Sequence, residues 1–330
     1  MSRYATIVST ARYAPERLVT NDEMRVQLQH VPDFVDKMEA GTGIRQRWYA
    51  PEDWATSDVA LPAAMLALKR AGRRPEDVDL IVLGTDSPDY ISPATSTVLQ
   101  GKLGAKNAGT FDVGCACASF PTGLTAAAGI LAANRSMKTI LVVGVYLMHR
   151  LADPKDPMIF FYGDGAGAAV LEADSKPGFI SSAFAADGTY AKRWLIPSGG
   201  TVEPASCESI KGGRTVVRMF ERYPPEVNEE GWPRLVVEAA RNGGFRVEDI
   251  DMAIFTQVRK PTIELVMQKL GLPMEKTHMI MDHYGYTGSA CVAMALDEAR
   301  EVGKAKPGDL VVLVGSGVGY NQAACAFRMP

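Results

Sequence analysis

The sequence has few cysteines and histidines, no excess of positive charge and no very long apolar run. Its 330 residues include five cysteines and four histidines, with 35 Lys and Arg against 38 Asp and Glu. Five cysteines without a repeated spacing favour neither a disulfide framework nor a zinc ribbon, so we expect reduced thiols and no metal site. The balanced, scattered charge argues against nucleic acid as a partner.

The apolar stretches are too short for a membrane protein. The strongest of them, such as residues 139–148, are about ten residues long, half of what a membrane-spanning helix needs. The first residues contain no basic region followed by an apolar core, the pattern of a secretory signal. We therefore predict a cytoplasmic protein without a membrane partner. The 47% of apolar residues and 22% of charged residues are typical of a folded chain with a large core.

The chain contains an internal duplication. Residues 67–83 align without a gap with residues 239–255, and both segments pass from a helix end through a glycine and a Glu-Asp turn into an apolar strand. Each half reads helix, buried strand, helix, strand, helix, strand, which predicts an α/β protein with sheets covered on both faces. We place the two halves at 1–175 and 176–330. Between the paired segments, the Gly- and Pro-rich residues 185–231 predict a long surface connection that borders a site.

Cys117 is the strongest candidate for chemistry. It lies where a predicted strand ends and an Ala-rich helix, about 118–134, begins. The unpaired N–H groups of a helix N-terminus favour a thiolate and hence a nucleophile. A small buried hydrophobe is the alternative for any free cysteine. Cys115 is a weaker candidate, because alternation along a strand directs it to the opposite side.

Two glycine clusters and one histidine are further candidates. The clusters, 163–167 and 315–319, lie between predicted strands and match a phosphate-binding fingerprint poorly, whereas exposed backbone N–H groups could form an oxyanion hole. His283 lies at a strand-to-helix junction that corresponds to that of Cys117 in the other half. It is a candidate general base, with a structural role as the alternative.

With these motifs placed, the sequence resembles the β-ketoacyl-acyl-carrier-protein synthase III group of the thiolase superfamily almost from end to end. The matching motifs are Thr-Gly-Ile-Arg-Gln-Arg at 42–47, Phe-Asp-Val followed by Cys-Ala-Ser-Phe at 111–120, Tyr-Gly-Asp-Gly-Ala-Gly-Ala-Ala-Val at 162–170, and Lys-Pro-Gly-Asp-Leu-Val-Val-Leu with Gly-Ser-Gly-Val-Gly at 306–319. Several motifs in the right order are specific where a single glycine run is not.

The resemblance implies a thiolase-like five-layer αβαβα fold of two duplicated halves, normally a homodimer. It implies that Cys117 accepts an acyl group from acyl-CoA or acyl carrier protein, and that the N–H groups of Cys117 and Gly319 form the oxyanion hole. No cofactor is implied, since the coenzyme A or phosphopantetheine thioester is a substrate. On the same basis we assign substrate binding to Phe160, Gln257 and Phe220.

Two positions depart from the family pattern. The motif that carries the family's catalytic His aligns with residues 254–260, which puts Thr256 at the His position. The motif that carries its Asn aligns with residues 282–287, which puts Tyr286 there. Thr and Tyr donate hydrogen bonds but do not accept protons near neutrality. We therefore expect Thr256 and Tyr286 in the catalytic centre, and a second step that differs from decarboxylative condensation.

Three functions remain open from the sequence. The first is an acyltransferase that passes the acyl group from Cys117 to a carbon, hydroxyl, amine or thiol, as in relatives of specialised metabolism. The second is a thioester hydrolase, in which His283 or Tyr286 assists water. The third is a non-catalytic partner in a heterodimer with an active relative.

Overall fold

The computed structural model describes residues 3–330 and contains thirteen strands and eleven α-helices in that part of the chain. The strands are β1 Tyr4–Tyr13, β2 Arg17–Thr20, β3 Gln46–Tyr49, β4 Leu80–Gly84, β5 Gly109–Val113, β6 Thr139–Tyr146, β7 Gly165–Asp174, β8 Phe179–Ala186, β9 Trp194–Leu195, β10 Arg218–Met219, β11 Met252–Phe255, β12 Leu310–Gly317 and β13 Asn321–Arg328. The helices are α1 Asn21–Gln27, α2 Phe34–Thr42, α3 Thr56–Arg70, α4 Thr95–Leu103, α5 Ser119–Ala133, α6 Cys207–Lys211, α7 Glu226–Glu229, α8 Gly231–Gly243, α9 Lys260–Leu270, α10 Met281–Tyr284 and α11 Cys291–Glu301.

Two large sheets organise the molecule. The first has the strand order β1-β7-β6-β4-β5, and the second has the order β11-β12-β13-β8. Every residue of β6 and of β12 is buried, because each strand is a Val/Leu-rich run with helices on both faces. The predicted α/β class with covered sheets is confirmed.

The second sheet repeats the first without its edge strand. β4 pairs in parallel with β6, as β11 does with β12, and each pair continues into two antiparallel neighbours. The second half was predicted to contain a counterpart of β5, and that prediction is wrong, because residues 281–284 form α10. At this edge the Thr277 hydroxyl donates to the Ala253 carbonyl of β11 over 2.7 Å.

The elements stack in five layers. α3 packs outside the first sheet, α5 and α11 lie between the sheets, and α8 packs outside the second sheet with α9 against it. This is the αβαβα arrangement that the sequence predicted, and α5 begins and ends within one residue of its predicted bounds. The boundary predicted at 175/176 falls in the turn between β7 and β8, and the division of the chain into these two halves stays a prediction.

One segment, residues 116–133, is long and apolar enough to cross a membrane by those two criteria alone. It comprises α5 and the turn before it, and most of it is buried between the two sheets. Such burial is typical of a central core helix.

Candidate active site

Side chains from three neighbouring strands meet at one edge of the first sheet. β4 pairs in parallel with both β5 and β6, so their carboxyl ends lie side by side. Asp86 follows β4, Cys117 follows β5, and Tyr146 ends β6. These three residues line a common cavity of about 250 Å3. The carboxyl edge of parallel strands is where α/β proteins generally bind ligands.

Cys117 lies in a short 3-10 turn, Ala116–Ala118, immediately before α5, and 3% of its surface is exposed. Ala116 has a φ of 47°, a left-handed conformation that is strained for a residue with a side chain. The turn packs directly on β12 because Gly315 has no side chain: a Cβ there would lie 2.8 Å from the carbonyl oxygen of Cys117. Close packing against the nucleophile turn is therefore one function of the second glycine cluster.

Tyr286 provides a direct polar contact to the thiol. Its hydroxyl oxygen contacts the sulfur of Cys117. Its backbone is fixed from both sides, because its N–H donates to the carbonyl of Phe161 over 2.7 Å and its carbonyl accepts from the N–H of Gly163 over 3.0 Å. The ring lies 5.8 Å from that of Tyr146. The structure thus brings together two of the predicted catalytic residues, Cys117 and Tyr286.

The position of the Cys117 thiol before the N-terminus of α5 does not make it a thiolate at neutral pH. Burial raises the pKa of Cys117 well above its usual value, and the negative charge of Asp86 raises it further, whereas the hydrogen bond with Tyr286 lowers it. Desolvation therefore outweighs the expected helix effect. The thiol is neutral near neutral pH and has to lose its proton as it attacks a thioester.

Asp86 is a site residue that the sequence analysis missed. Burial raises its pKa to about 6, and a hydrogen bond from Ser289 partly offsets this effect. The Ser289 hydroxyl lies 3.1 Å from the Asp86 carboxylate and 3.0 Å from the carbonyl oxygen of Ala116, so it connects the acid to the nucleophile turn. The available signal was a polar residue just beyond a buried strand that neighbours the strand of Cys117.

The rest of the cavity wall is apolar. Its side chains are those of Met148, Trp194, Leu195, Ile196, Val217 and Val318. Four of these six belong to the connection that was predicted, as residues 185–231, to border a site. An apolar cavity that ends at a thiol is suited to an acyl chain.

Two adjacent residues predicted for the site are held by the backbone around them. The Thr256 hydroxyl accepts a hydrogen bond from the N–H of Ser316 over 2.9 Å, and its catalytic role stays a prediction. Gln257 is fully buried: its amide group donates to the carbonyl of Phe255 over 2.8 Å, and its carbonyl oxygen accepts from the N–H of Ile280 over 2.8 Å. Since this side chain is occupied away from the cavity, a structural role replaces its predicted substrate-binding role.

His283 belongs to an ion-pair cluster outside the cavity. Its ring nitrogens lie 2.7 Å from Asp282 and 3.2 Å from Glu298. Hydrogen bonds to Asp282 and then Glu298 raise the pKa of His283 to about 9. A ring that is protonated at neutral pH cannot accept a proton, so the structure favours the alternative that the sequence left open, a structural role for His283, over that of general base.

The two phenylalanines predicted to bind substrate lie elsewhere. Phe160 is fully buried, with the Arg47 guanidinium 4.8 Å from its ring centre. Phe220 is 63% exposed on the connection. Phe160 therefore has a packing role, and neither phenylalanine contributes to the cavity wall.

The oxyanion hole predicted at Gly319 is not tested by the contacts of this residue. The N–H of Gly319 donates to the hydroxyl of Tyr223 over 3.3 Å, and its part in an oxyanion hole stays a prediction.

Known proteins are similar to this chain in sequence and in fold. Residues 111–188 match the family 3-oxoacyl-[acyl-carrier-protein (ACP)] synthase III, and residues 240–329 match the C-terminal part of that family. The chain is 34% identical over 328 residues to beta-ketoacyl-[acyl-carrier-protein] synthase III of Syntrophomonas wolfei, covering 98% of this chain and 96% of that protein. The relative of the same name from Methylococcus capsulatus is also 34% identical, over 99% of this chain and 100% of its own length.

Solved structures agree with these sequence relatives. The 3-oxoacyl-[acyl-carrier-protein] synthase III of Aquifex aeolicus superposes with a TM-score of 0.87 at 27% identity, covering 98% of this chain and 99% of that one. The priming β-ketosynthase of the R1128 polyketide biosynthetic pathway gives a TM-score of 0.90 at 27% identity, over 100% and 97% of the two chains. The shared fold, the matched motifs and the end-to-end similarity place this chain in the 3-oxoacyl-[acyl-carrier-protein] synthase III family of acyltransferases.

Proposed function

We propose that this protein takes an acyl group from a coenzyme A or acyl-carrier-protein thioester onto Cys117 and passes it to an acceptor by a route other than decarboxylative condensation. The observation that carries the proposal is the contact of the Cys117 sulfur with the Tyr286 hydroxyl at an apolar cavity. A thiol is the acyl acceptor in such a step, and a phenol that remains protonated donates a hydrogen bond to the thiolate as it forms.

The groups around the sulfur limit what the second half-reaction can be. By motif, Thr256 and Tyr286 take the places of the family's His and Asn. Burial raises the pKa of Tyr286 well above its usual value, so it is a donor and not a base. The Thr256 hydroxyl is bound to the backbone of β12. Neither side chain can act as an imidazole does, which favours transfer to a different kind of acceptor.

Acyl loading tests the function directly. Wild-type protein incubated with hexanoyl-CoA is expected to gain the mass of one hexanoyl group, and peptide mapping is expected to place it on Cys117. Cys117→Ala should remain bare, whereas Cys207→Ala, which removes an exposed cysteine on α6, should load as the wild type does.

The fate of the adduct separates the alternatives. A stable adduct that an acceptor discharges supports acyl transfer. Rapid release of free hexanoic acid supports a hydrolase. A folded protein that stays bare over a panel of acyl thioesters contradicts the proposal and favours the role of a non-catalytic partner.

We also propose that the protein is a homodimer in the cytoplasm, as its family resemblance implies, with a heterodimer with a relative as the alternative. Sedimentation equilibrium of the isolated chain tests the oligomeric state. A purely monomeric chain would favour a missing heterologous partner.

A further inference from the structure

The cavity that contains Cys117 holds an uncompensated carboxylate. Among the lining residues in the described range 3–330, Asp86 is the only acid, and none is a lysine, an arginine or a histidine. The ionisable groups that face it in the cavity are Cys117, Tyr146 and Tyr286, and Cys291 and Tyr162 lie near it outside the cavity lining. Burial raises the pKa of each of these groups, so all five are neutral near pH 7. The hydroxyl of Ser289, 3.1 Å away, is the side chain that stabilises the Asp86 charge.

This arrangement gives Asp86 the properties of a general base. It shares one small cavity with the sulfur, and Ser289 connects it to the residue before Cys117. A carboxylate with a pKa raised to about 6 is mostly deprotonated at pH 7.5, yet it is more basic than an ordinary aspartate. The neutral tyrosines around it can only donate.

The same charge selects against an anionic acceptor. A malonyl thioester brings its own carboxylate to the sulfur, and like charges repel strongly where water is largely excluded. The cavity residues within 3–330 offer that second carboxylate no cationic partner. A neutral acceptor avoids this repulsion.

We propose that Asp86 is the general base that discharges acyl-Cys117, and that the acceptor is a neutral molecule with a hydroxyl or uncharged amine group. This inference rests on the proposed function, since it concerns the second half-reaction. The Asp86 carboxylate takes the proton from the acceptor as the acceptor's oxygen or nitrogen bonds to the thioester carbon. The C–S bond then breaks, and the proton passes to the sulfur, which restores the thiol and the carboxylate.

The test follows discharge of a preloaded enzyme. Protein loaded with hexanoyl-CoA and freed of excess thioester is mixed with benzyl alcohol, with malonyl-CoA or with buffer alone between pH 5 and 9, and loss of the adduct is followed by intact mass. Benzyl alcohol should discharge the wild type at a rate that rises with pH and levels off above an inflection near 6. Asp86→Asn should load normally but discharge about 100-fold more slowly and without that inflection.

Two further variants separate catalysis from structure. Ser289→Ala removes the hydrogen bond that lowers the pKa of Asp86, so its inflection should move to higher pH. Asp174→Asn makes the same chemical change at an exposed carboxylate at the end of β7 and should behave as the wild type. Loading of Asp86→Asn should be no slower than that of the wild type, because removal of the Asp86 charge eliminates one cause of the raised Cys117 pKa. Loading at that rate also reports that the site is folded.

The outcomes are distinguishable. If Asp86→Asn loads and then discharges with the wild-type rate and pH profile, Asp86 is not the base. If malonyl-CoA discharges the enzyme with loss of carbon dioxide faster than benzyl alcohol does, the inferred acceptor class is wrong. If the wild type never loads, the proposed function itself fails, and this inference fails with it.

Discussion

The Tyr286 hydroxyl lowers the cost of ionising a sulfur that is otherwise poorly placed to ionise. Cys117 is buried and shares its cavity with Asp86, and both conditions oppose a thiolate. The hydrogen bond from Tyr286 acts in the opposite direction. Because burial also keeps the phenol protonated, this donor is present over the whole working pH range.

We expect Tyr286→Phe to make Cys117 less reactive. A hydrogen bond to a charged group contributes about 1.5–3 kcal/mol, so loss of it should slow alkylation by iodoacetamide at pH 8 by about 10- to 100-fold. The measurement is the rate of carbamidomethylation at Cys117 by peptide mass. Tyr162→Phe is the control: this ring packs 6.2 Å from Tyr146, but its hydroxyl does not bond the sulfur. Equal rates for all three proteins would show that Tyr286 does not assist ionisation.

At the scale of elements, the junction between α10 and α11 is held by charge. His283 of α10 bonds Glu298 of α11 over 3.2 Å and its neighbour Asp282 over 2.7 Å. The pKa of His283 is raised to about 9, and the pKa of Glu298 is lowered, although its burial acts in the other direction. This pairing fixes the segment that leads into Tyr286.

The pairing predicts a loss of stability in alkali. A histidine whose pKa rises from 6.5 to about 9 on folding stabilises the protein fully below pH 6.5, and this contribution disappears as the pH rises through 9. The ring is partly exposed, so we discount the effect to about 1 kcal/mol, or roughly 1–2 °C in Tm for a chain of this length. In thermal unfolding at pH 6, 7.5 and 9, His283→Gln should lose stability at pH 6 and approach the wild type at pH 9. His30→Gln, at an exposed position, serves as control. A difference in Tm between His283→Gln and the wild type that is the same at all three pH values would contradict the pairing.

Periodicity could predict the α/β class and the duplication, because these depend on local patterns. The five layers and the choice of Cys117 as acyl acceptor came from the family resemblance. The motif placed Tyr286 in the site. The sequence could not show that the Gln257 amide is hydrogen-bonded to backbone groups, or that His283 faces two carboxylates. Those facts depend on which side chains the folded chain brings near each other. Asp86 was missed for the same reason: its importance comes from the adjacency of β4 and β5, which a linear sequence does not display.

At the scale of the whole molecule, α11 joins the two halves. It belongs to the second half, yet its Asp297 is buried and receives hydrogen bonds from Thr10, Arg12 and Arg70 of the first half, over 2.7, 2.8 and 2.8 Å. β7 packs closely on α11 at Gly167, where a Cβ would lie 2.8 Å from the backbone nitrogen of Met294. The cavity of the candidate site is likewise lined by residues of both halves.

Gly167→Ala should therefore destabilise the molecule as one unit. An added methyl group forces a shift of α11, and overpacking of this kind costs about 1–3 kcal/mol. Urea unfolding should show a lower midpoint with an unchanged m-value. Gly129→Ala, at an exposed position of α5 with no atom within 4 Å of the added methyl, should instead stabilise the fold by about 0.5–1 kcal/mol. Separate transitions for the two halves in the Gly167 variant would show that they are not one cooperative unit.

The wall made by Trp194, Leu195, Ile196 and Val217 comes from the part of the connection after β8, which belongs to neither large sheet. Loops tolerate replacement far better than core strands do. Under the proposed function, the side chains that contact the acyl chain are thereby separated from the reacting groups. Exchange of this connection with that of a relative would then change the chain preference and leave the chemistry around the sulfur as it is.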